Sequence, residues 1–175
     1  MRLTFMGRGA AERLRLADKY VMVSITDPGS RPAALHDPAC VAVLRLEFHD
    51  LDELPGFGGA FVLFTPEMAA QVAAFVEQWR DDVSRIVVHC EAGISRSCAV
   101  ASALALYFTG DDTRERQSGC PNALVYKLMT EALKVEGAAD VCAKGRAVRT
   151  MGHVWPGPVL EDDGRDPGGW SDGRG

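Results

Sequence analysis

Residues 85–110, RIVVHCEAGISRSCAVASALALYFTG, hold a strand, a tight loop and a helix in one stretch. Arg85 to His89 is short and apolar at its centre, the composition of a strand covered on both faces. Ser97 to Phe108 is rich in Ala and Leu and polar almost nowhere, so it reads as a buried central helix stopped by Gly110. Between them, residues 89–97 (HCEAGISRS) carry a Cys, five residues and an Arg at the mouth of the helix. A short loop turning from a strand into a helix N-terminus converges its backbone N–H groups on one point, and the helix dipole adds positive potential there. A sulfur held at that point is favoured as the nucleophilic thiolate. Cys90 is that sulfur. Gly93 lets the loop fold tightly, and Arg96 offers a planar fork to two oxygens of a phosphate, which lysine could not match. The Ser97 hydroxyl can donate to the thiolate and help it leave. Glu91, Ala92, Gly93, Ile94 and Ser95, with Arg96, line the oxyanion cradle. An inert buried thiol is the ordinary state of an unpaired cysteine, and that reading fits Cys40, Cys98 and Cys142. At Cys90 it does not, because an arginine aimed at the same point has no packing purpose.

The flanking sequence alternates strands and helices. Tyr20 to Ile25 (YVMVSI) is an apolar, β-rich run closed by the turn signal Asp27-Pro28-Gly29. Val41 to Phe48 (VAVLRLEF) sets Leu44, Leu46 and Phe48 on one face and Arg45 and Glu47 on the other, which is strand periodicity. Thr65-Pro66-Glu67 opens a helix with a capping hydroxyl, a first-position proline and an acid in the first turn. Met68, Val72, Val76 and Trp79 are its expected buried stripe. A further helix is expected from about Pro121 to Lys134. This order predicts an α/β domain over residues 1–155: three layers, with a central, mainly parallel sheet flanked by helices. Pro156 to Gly175 is rich in Gly and Pro and reads as a flexible tail.

Composition narrows the function classes. With 175 residues, 47% hydrophobic and 25% charged, the chain can bury a core as a single domain. The formal charge is −5 and the basic residues are dispersed, so nucleic acid is not an expected partner. No apolar run is long enough for a membrane span, and MRLTFMGRGAAERLRL lacks the continuous apolar stretch of a leader peptide. A cytoplasmic monomer is the expectation. Five cysteines do not suggest a disulfide framework. His36 and Cys40 are four residues apart, and His49, Cys120 and His153 could join them, but no pair of close Cys motifs supports a zinc site. Arg114 and Arg116 read as a solvated charged loop rather than a contact for an acidic substrate.

HCEAGISRS resembles the active-site loop of the protein tyrosine phosphatase superfamily, most closely its compact dual-specificity branch and bacterial relatives. The resemblance covers roughly residues 20 to 134. Phe48-His49-Asp50 ends the strand where that branch carries its general acid. Ser118-Gly119-Cys120-Pro121-Asn122, leading into LVYKLMTEAL, is similar to the Pro-Asn helix start of those enzymes. The resemblance implies the family fold, no cofactor, and hydrolysis of phosphate monoesters through a phosphocysteine on Cys90. Asp50 would be the general acid, with Asp52 as its rival, and His89 would orient the loop. Leu51 to Phe64 is longer than the family's usual link between acid and helix. The loop holds no Lys or Arg between Cys90 and Arg96, and Glu91 adds a negative charge at the rim. A phosphorylated protein or peptide, with phosphotyrosine first, is therefore the expected substrate rather than a phosphoinositide, whose enzymes by resemblance place lysines there. The competing class is a phospho-ligand binding module without turnover. Rhodanese-like sulfur transferases also set a Cys loop before a helix, without this HC, five residues, RS form.

Overall fold

Two strands, β2 (Tyr20–Thr26), buried throughout, and β4 (Arg85–Cys90), buried beyond its first residue, form the middle of a four-stranded sheet. β1 (Arg2–Gly7) and β3 (Cys40–Glu47) are its edges, in the order β1-β4-β2-β3. The computed structural model describes residues 1–135 apart from Phe57. The boundary expected after residue 155, the tail, Cys142 and His153 lie outside the described residues. Every pairing is parallel, so the sheet expected to be mainly parallel is wholly so. Sheets of this kind are covered on both faces, which is why the middle strands read as near-continuous apolar runs.

The period of two still sorts the faces. Val21, Val23, Ile25, Ile86 and Val88 pack against α2 (Pro66–Trp79), α3 (Arg96–Thr109) and α5 (Ala123–Ala132). Tyr20, Met22 and Val87 face the opposite layer, where Ala11 of α1 (Arg8–Arg13) meets them. Leu14, Leu16 and Leu35 from the connecting segments complete that layer. The three expected layers are therefore unequal: three helices on one face, one short helix and connecting chain on the other.

Local signals act as the residue types demand. The Thr65 Oγ1 accepts from the Met68 N–H at 3.3 Å, and Pro66 opens α2. Ala69, Val72 and Val76 are its fully buried positions, whereas Met68 and Trp79 are half-buried at the core's margin. Ten consecutive residues of α3, Arg96 to Ala105, are buried. Gly110 ends α3 in the left-handed conformation (φ 75°), its N–H donating to the Leu106 carbonyl, a geometry that glycine adopts at no steric cost. Asn122 caps α5, accepting from the Val125 N–H at 2.9 Å, so this helix starts two residues after Pro121. A short α4 (Thr113–Gln117) bridges α3 and α5. Residues 2–13 carry no sequence signal that predicts an element, yet β1 and α1 lie there. β1 is an edge strand, only partly buried and bounded by Arg and Gly, so its apolar run is too short to stand out.

Candidate active site

The C-terminal ends of all four strands lie at one edge of the parallel sheet, the place where open α/β sheets build ligand sites. Cys90 is the last residue of β4 and is buried. Its Sγ lies 3.1 Å from the Ser97 Oγ and accepts from the Gly93 N–H at 3.2 Å. Gly93 has φ +76°, and a Cβ there would stand 2.2 Å from the Gly7 nitrogen. Only glycine permits both the backbone angle and the close approach of β1. Ser95 precedes α3 without capping it. Its hydroxyl donates instead to the Asp50 Oδ1 at 2.7 Å.

Arg96 is buried, at 4% exposure, and its guanidinium is half spent. Nη1 donates to the Asp27 Oδ1 at 2.6 Å and to the Phe48 carbonyl at 2.7 Å. The guanidinium carbon lies over the Phe48 ring, 5.9 Å from its centroid. Nε, 3.9 Å from the Asp50 Oδ2, has no hydrogen-bond partner. Among the described residues it is the only buried side-chain nitrogen or oxygen left so. A buried N–H without a partner costs about 1–3 kcal/mol, so its survival in a functional position calls for a ligand that completes it.

His89 is fully buried on the other face of β4, with Nε2 2.8 Å from the Ser24 Oγ and Nδ1 3.4 Å from the Cys90 carbonyl. Burial pushes its pKa below the usual imidazole value, which keeps the ring neutral at neutral pH.

The two acids compared in the sequence part company. Asp50 stands at the loop, where Oδ1 accepts from Ser95 and, at 3.0 Å, from the Asn122 side-chain amide. Asp52 turns to α5, where its Oδ1 accepts from the N–H groups of Ala123 and Leu124 at 2.8 and 3.2 Å. The long link from Leu51 to Phe64 does not displace Asp50, because it is pinched at its base. His49 donates its N–H to the Val62 carbonyl at 2.8 Å, and its Nδ1 accepts from the Val62 N–H at 3.0 Å. The Phe61 ring meets the His49 ring edge-on at 5.5 Å.

Glu91, expected to bring a negative charge to the rim, is paired there. Its carboxylate lies 3.4 Å from the Arg8 Nη1, so the charge at the rim is offset rather than free. Of the other thiols, Cys98 is buried and burial pushes its pKa up to about 11, while Cys120 is exposed. Burial raises the Cys40 thiol as well. Among the described residues, no group of three or more His, Cys, Asp or Glu side chains is gathered to hold a metal ion. Arg116 lies 3.8 Å from Asp112 and over the Tyr126 ring, and Arg114 is exposed. Among the described residues, no helix is long and apolar enough to cross a membrane.

Two side chains at the site escape a reading of the sequence. Asp27 looks there like part of a turn, and Arg8 like one basic residue among many. The signal that could have found Asp27 is positional: it follows β2 directly, at the strand end where a parallel sheet gathers its ligands.

No protein-family model matches the chain, and no curated protein matches it in sequence. Solved structures do. Human DUSP28 is 18% identical over 75% of this chain and 91% of its own, with a TM-score of 0.51. PTPMT1 is 16% identical over 76% of this chain and 90% of its own, with a TM-score of 0.51. PTPMT1 in complex with PI(5)P is 17% identical over 76% and 90%, with a TM-score of 0.50. Likeness at this level of identity speaks for the fold alone: the chain is folded like DUSP28 and PTPMT1.

Proposed function

We propose that the protein is a cysteine-dependent phosphatase that hydrolyses phosphate monoesters, with phosphotyrosine in a protein or peptide as the first substrate class. The observation that carries this reading is the unpartnered, buried Nε of Arg96 beside a thiol bonded only within its own loop and helix start. A phosphate seated over Cys90 would supply the missing acceptor.

The chemistry follows from the positions. The Cys90 thiolate attacks phosphorus in line, the new S–P bond forms, and the bond to the leaving oxygen breaks. Loop amides of residues 91–95 and Arg96 hold the equatorial oxygens. Asp50 gives a proton to the leaving oxygen. Its Oδ1 is occupied by two donors, Ser95 and Asn122, so Oδ2 is the oxygen that carries that proton. In the second step Asp50 takes a proton from the attacking water. The S–P bond breaks, phosphate leaves, and Ser97 donates to the returning thiolate. His89 holds the start of the loop through Ser24 and the Cys90 carbonyl. Presence of Cys90, Arg96 and Ser97 together favours turnover over a binding module that keeps only the cradle.

A second substrate reading has its own support. The chain shares its fold with PTPMT1, a protein solved in complex with PI(5)P, and the pairing of Glu91 with Arg8 weakens the repulsion expected of a second phosphate. One experiment addresses mechanism and substrate together. Wild type and Cys90→Ser are assayed with p-nitrophenyl phosphate, phosphotyrosine peptides, phosphoserine peptides and PI(5)P, alongside tungstate binding. Cys90→Ser is expected to bind tungstate without turnover, and residual activity within about tenfold of wild type would sink the cysteine mechanism. Turnover of PI(5)P about tenfold better than any phosphotyrosine peptide would move the substrate assignment to lipid headgroups.

A further inference from the structure

The geometry points to Arg8 as a positioning residue that holds the loop of residues 91–95 in its oxyanion-binding shape. This rests on the phosphatase reading above. An oxyanion cradle must leave its inward amides free for the ligand, so the loop has to be held by its outward carbonyls and from outside. Two external amides do this: the Arg8 N–H donates to the Glu91 carbonyl at 3.1 Å, and the Cys120 N–H to the Ile94 carbonyl at 3.0 Å. The Cys120 contact is a single backbone bond. Arg8 adds a side-chain network that reaches three segments of the chain.

All three guanidinium nitrogens of Arg8 are engaged. Nε donates to the Glu12 Oε1 at 3.1 Å, and Nη1 to the Glu91 Oε2 at 3.4 Å. Nη2 donates to the Arg31 carbonyl at 2.6 Å and to the Pro32 carbonyl at 3.3 Å. Glu12 extends the network by accepting from the Ala34 N–H at 3.1 Å. The segment of residues 31–34 continues the chain from the Asp27 turn, and Asp27 holds Arg96. Arg8 therefore ties the loop to the strand end that aims the phosphate-binding guanidinium. It also offsets the Glu91 carboxylate, which would otherwise stand unpaired beside an anion site. A lysine could match the charge but not the three-way fork. Gly7, the preceding residue, brings β1 against the loop: a Cβ there would lie 3.0 Å from the Ala92 carbonyl oxygen.

The test uses the full chain with Arg8→Ala, Arg8→Lys and Arg8→Ala combined with Glu91→Gln, at a temperature where each is folded by circular dichroism. Tungstate affinity and the kcat and KM for p-nitrophenyl phosphate are read for each. Arg8→Ala is expected to lose at least about tenfold in kcat/KM, since misplacement of a positioning group by an ångström can cost more than that. Tungstate binding should weaken in parallel. Adding Glu91→Gln should recover part of the tungstate affinity, by removing the unpaired charge, while kcat stays low because the fork is still missing. Arg8→Lys should keep affinity better than it keeps kcat. A purely structural role would lower the melting temperature and leave these constants of the folded protein alone. Constants within about twofold of wild type in both Arg8→Ala and Arg8→Lys would overturn the inference, as would loss of kcat/KM in Arg8→Ala fully reversed by Glu91→Gln. If Arg8→Ala does not fold, Arg8→Lys alone decides, on the same twofold margin. A wild type inactive on p-nitrophenyl phosphate defeats the phosphatase reading instead, and is thereby told apart from a failure of this one.

Discussion

Asp50 and Asp52 are two residues apart and make opposite contacts, so their variants should fail in opposite ways. Asp50→Ala removes the proposed proton donor and should slow hydrolysis by at least about a hundredfold near pH 6, the usual worth of general acid catalysis. Its melting temperature should change little, because its carboxylate is partly exposed. Asp52→Ala strips the partner from two N–H groups at the start of α5. It should cost about 0.5–2 kcal/mol of stability, like other lost helix caps, with turnover of the folded protein near normal. Thermal melts beside single-substrate kinetics read both, and a slow Asp52→Ala with a normal Asp50→Ala reverses the assignment. His89 makes a prediction about pH. Burial lowers its pKa in the fold from an ordinary value of 6.5. Between those two values the unfolded chain binds more protons, so stability rises with pH through the window and levels off above 6.5. Stability is lost as pH falls below 6.5. Melts of wild type and His89→Gln across this range should show a slope in the first that is reduced in the second; equal slopes would mean His89 is not the group that titrates.

At the scale of the element, the loop between β4 and α3 is constrained by its glycine. Gly93→Ala would force a side chain into a left-handed conformation and within 2.2 Å of the Gly7 nitrogen. Backbone strain of this kind costs about 1–3 kcal/mol, and here relief requires the loop to leave β1. Tungstate binding and turnover should both be lost. Gly29→Ala is the control: its φ is also positive (+74°), but nothing lies within 4 Å of the added Cβ. It should lower the melting temperature slightly and leave activity intact. Comparable loss of activity in both variants would show that backbone angle, not the approach of β1, sets the loop. The helices make the complementary point. The boundaries of α2 and α3 are legible because Thr65, Pro66 and Gly110 act through atoms within four residues, whereas β1 has no such local marker.

For the whole molecule, the proposed mechanism assigns every step to side chains and backbone amides. Activity should accordingly persist in excess EDTA and be blocked by vanadate, which mimics five-coordinate phosphorus. Loss on chelation with recovery on adding zinc or magnesium would put a metal into the reaction.

From the sequence, one contiguous stretch is legible as a strand, a tight loop and a helix start. A Cys, five residues, an Arg and a Ser between a buried strand and a buried helix are enough to suggest the proposed cradle, because the backbone of a strand–loop–helix turn dictates where its amides point. The parallel sheet was legible for a similar reason, since strands buried on both faces must be apolar throughout. The tertiary structure alone decided which distant side chains complete the site. Asp27 and the Phe48 carbonyl aim Arg96 across 69 and 48 residues of chain, and Arg8 meets Glu91 across 83. It alone separated Asp50 from Asp52: the start of α5 arrives some 70 residues later, where its first N–H groups take Asp52, while the Asn122 side chain and Ser95 of the loop hold Asp50. Such contacts leave no periodicity behind: they depend on strand order, which brings β1, β2 and β3 to the same edge as Cys90.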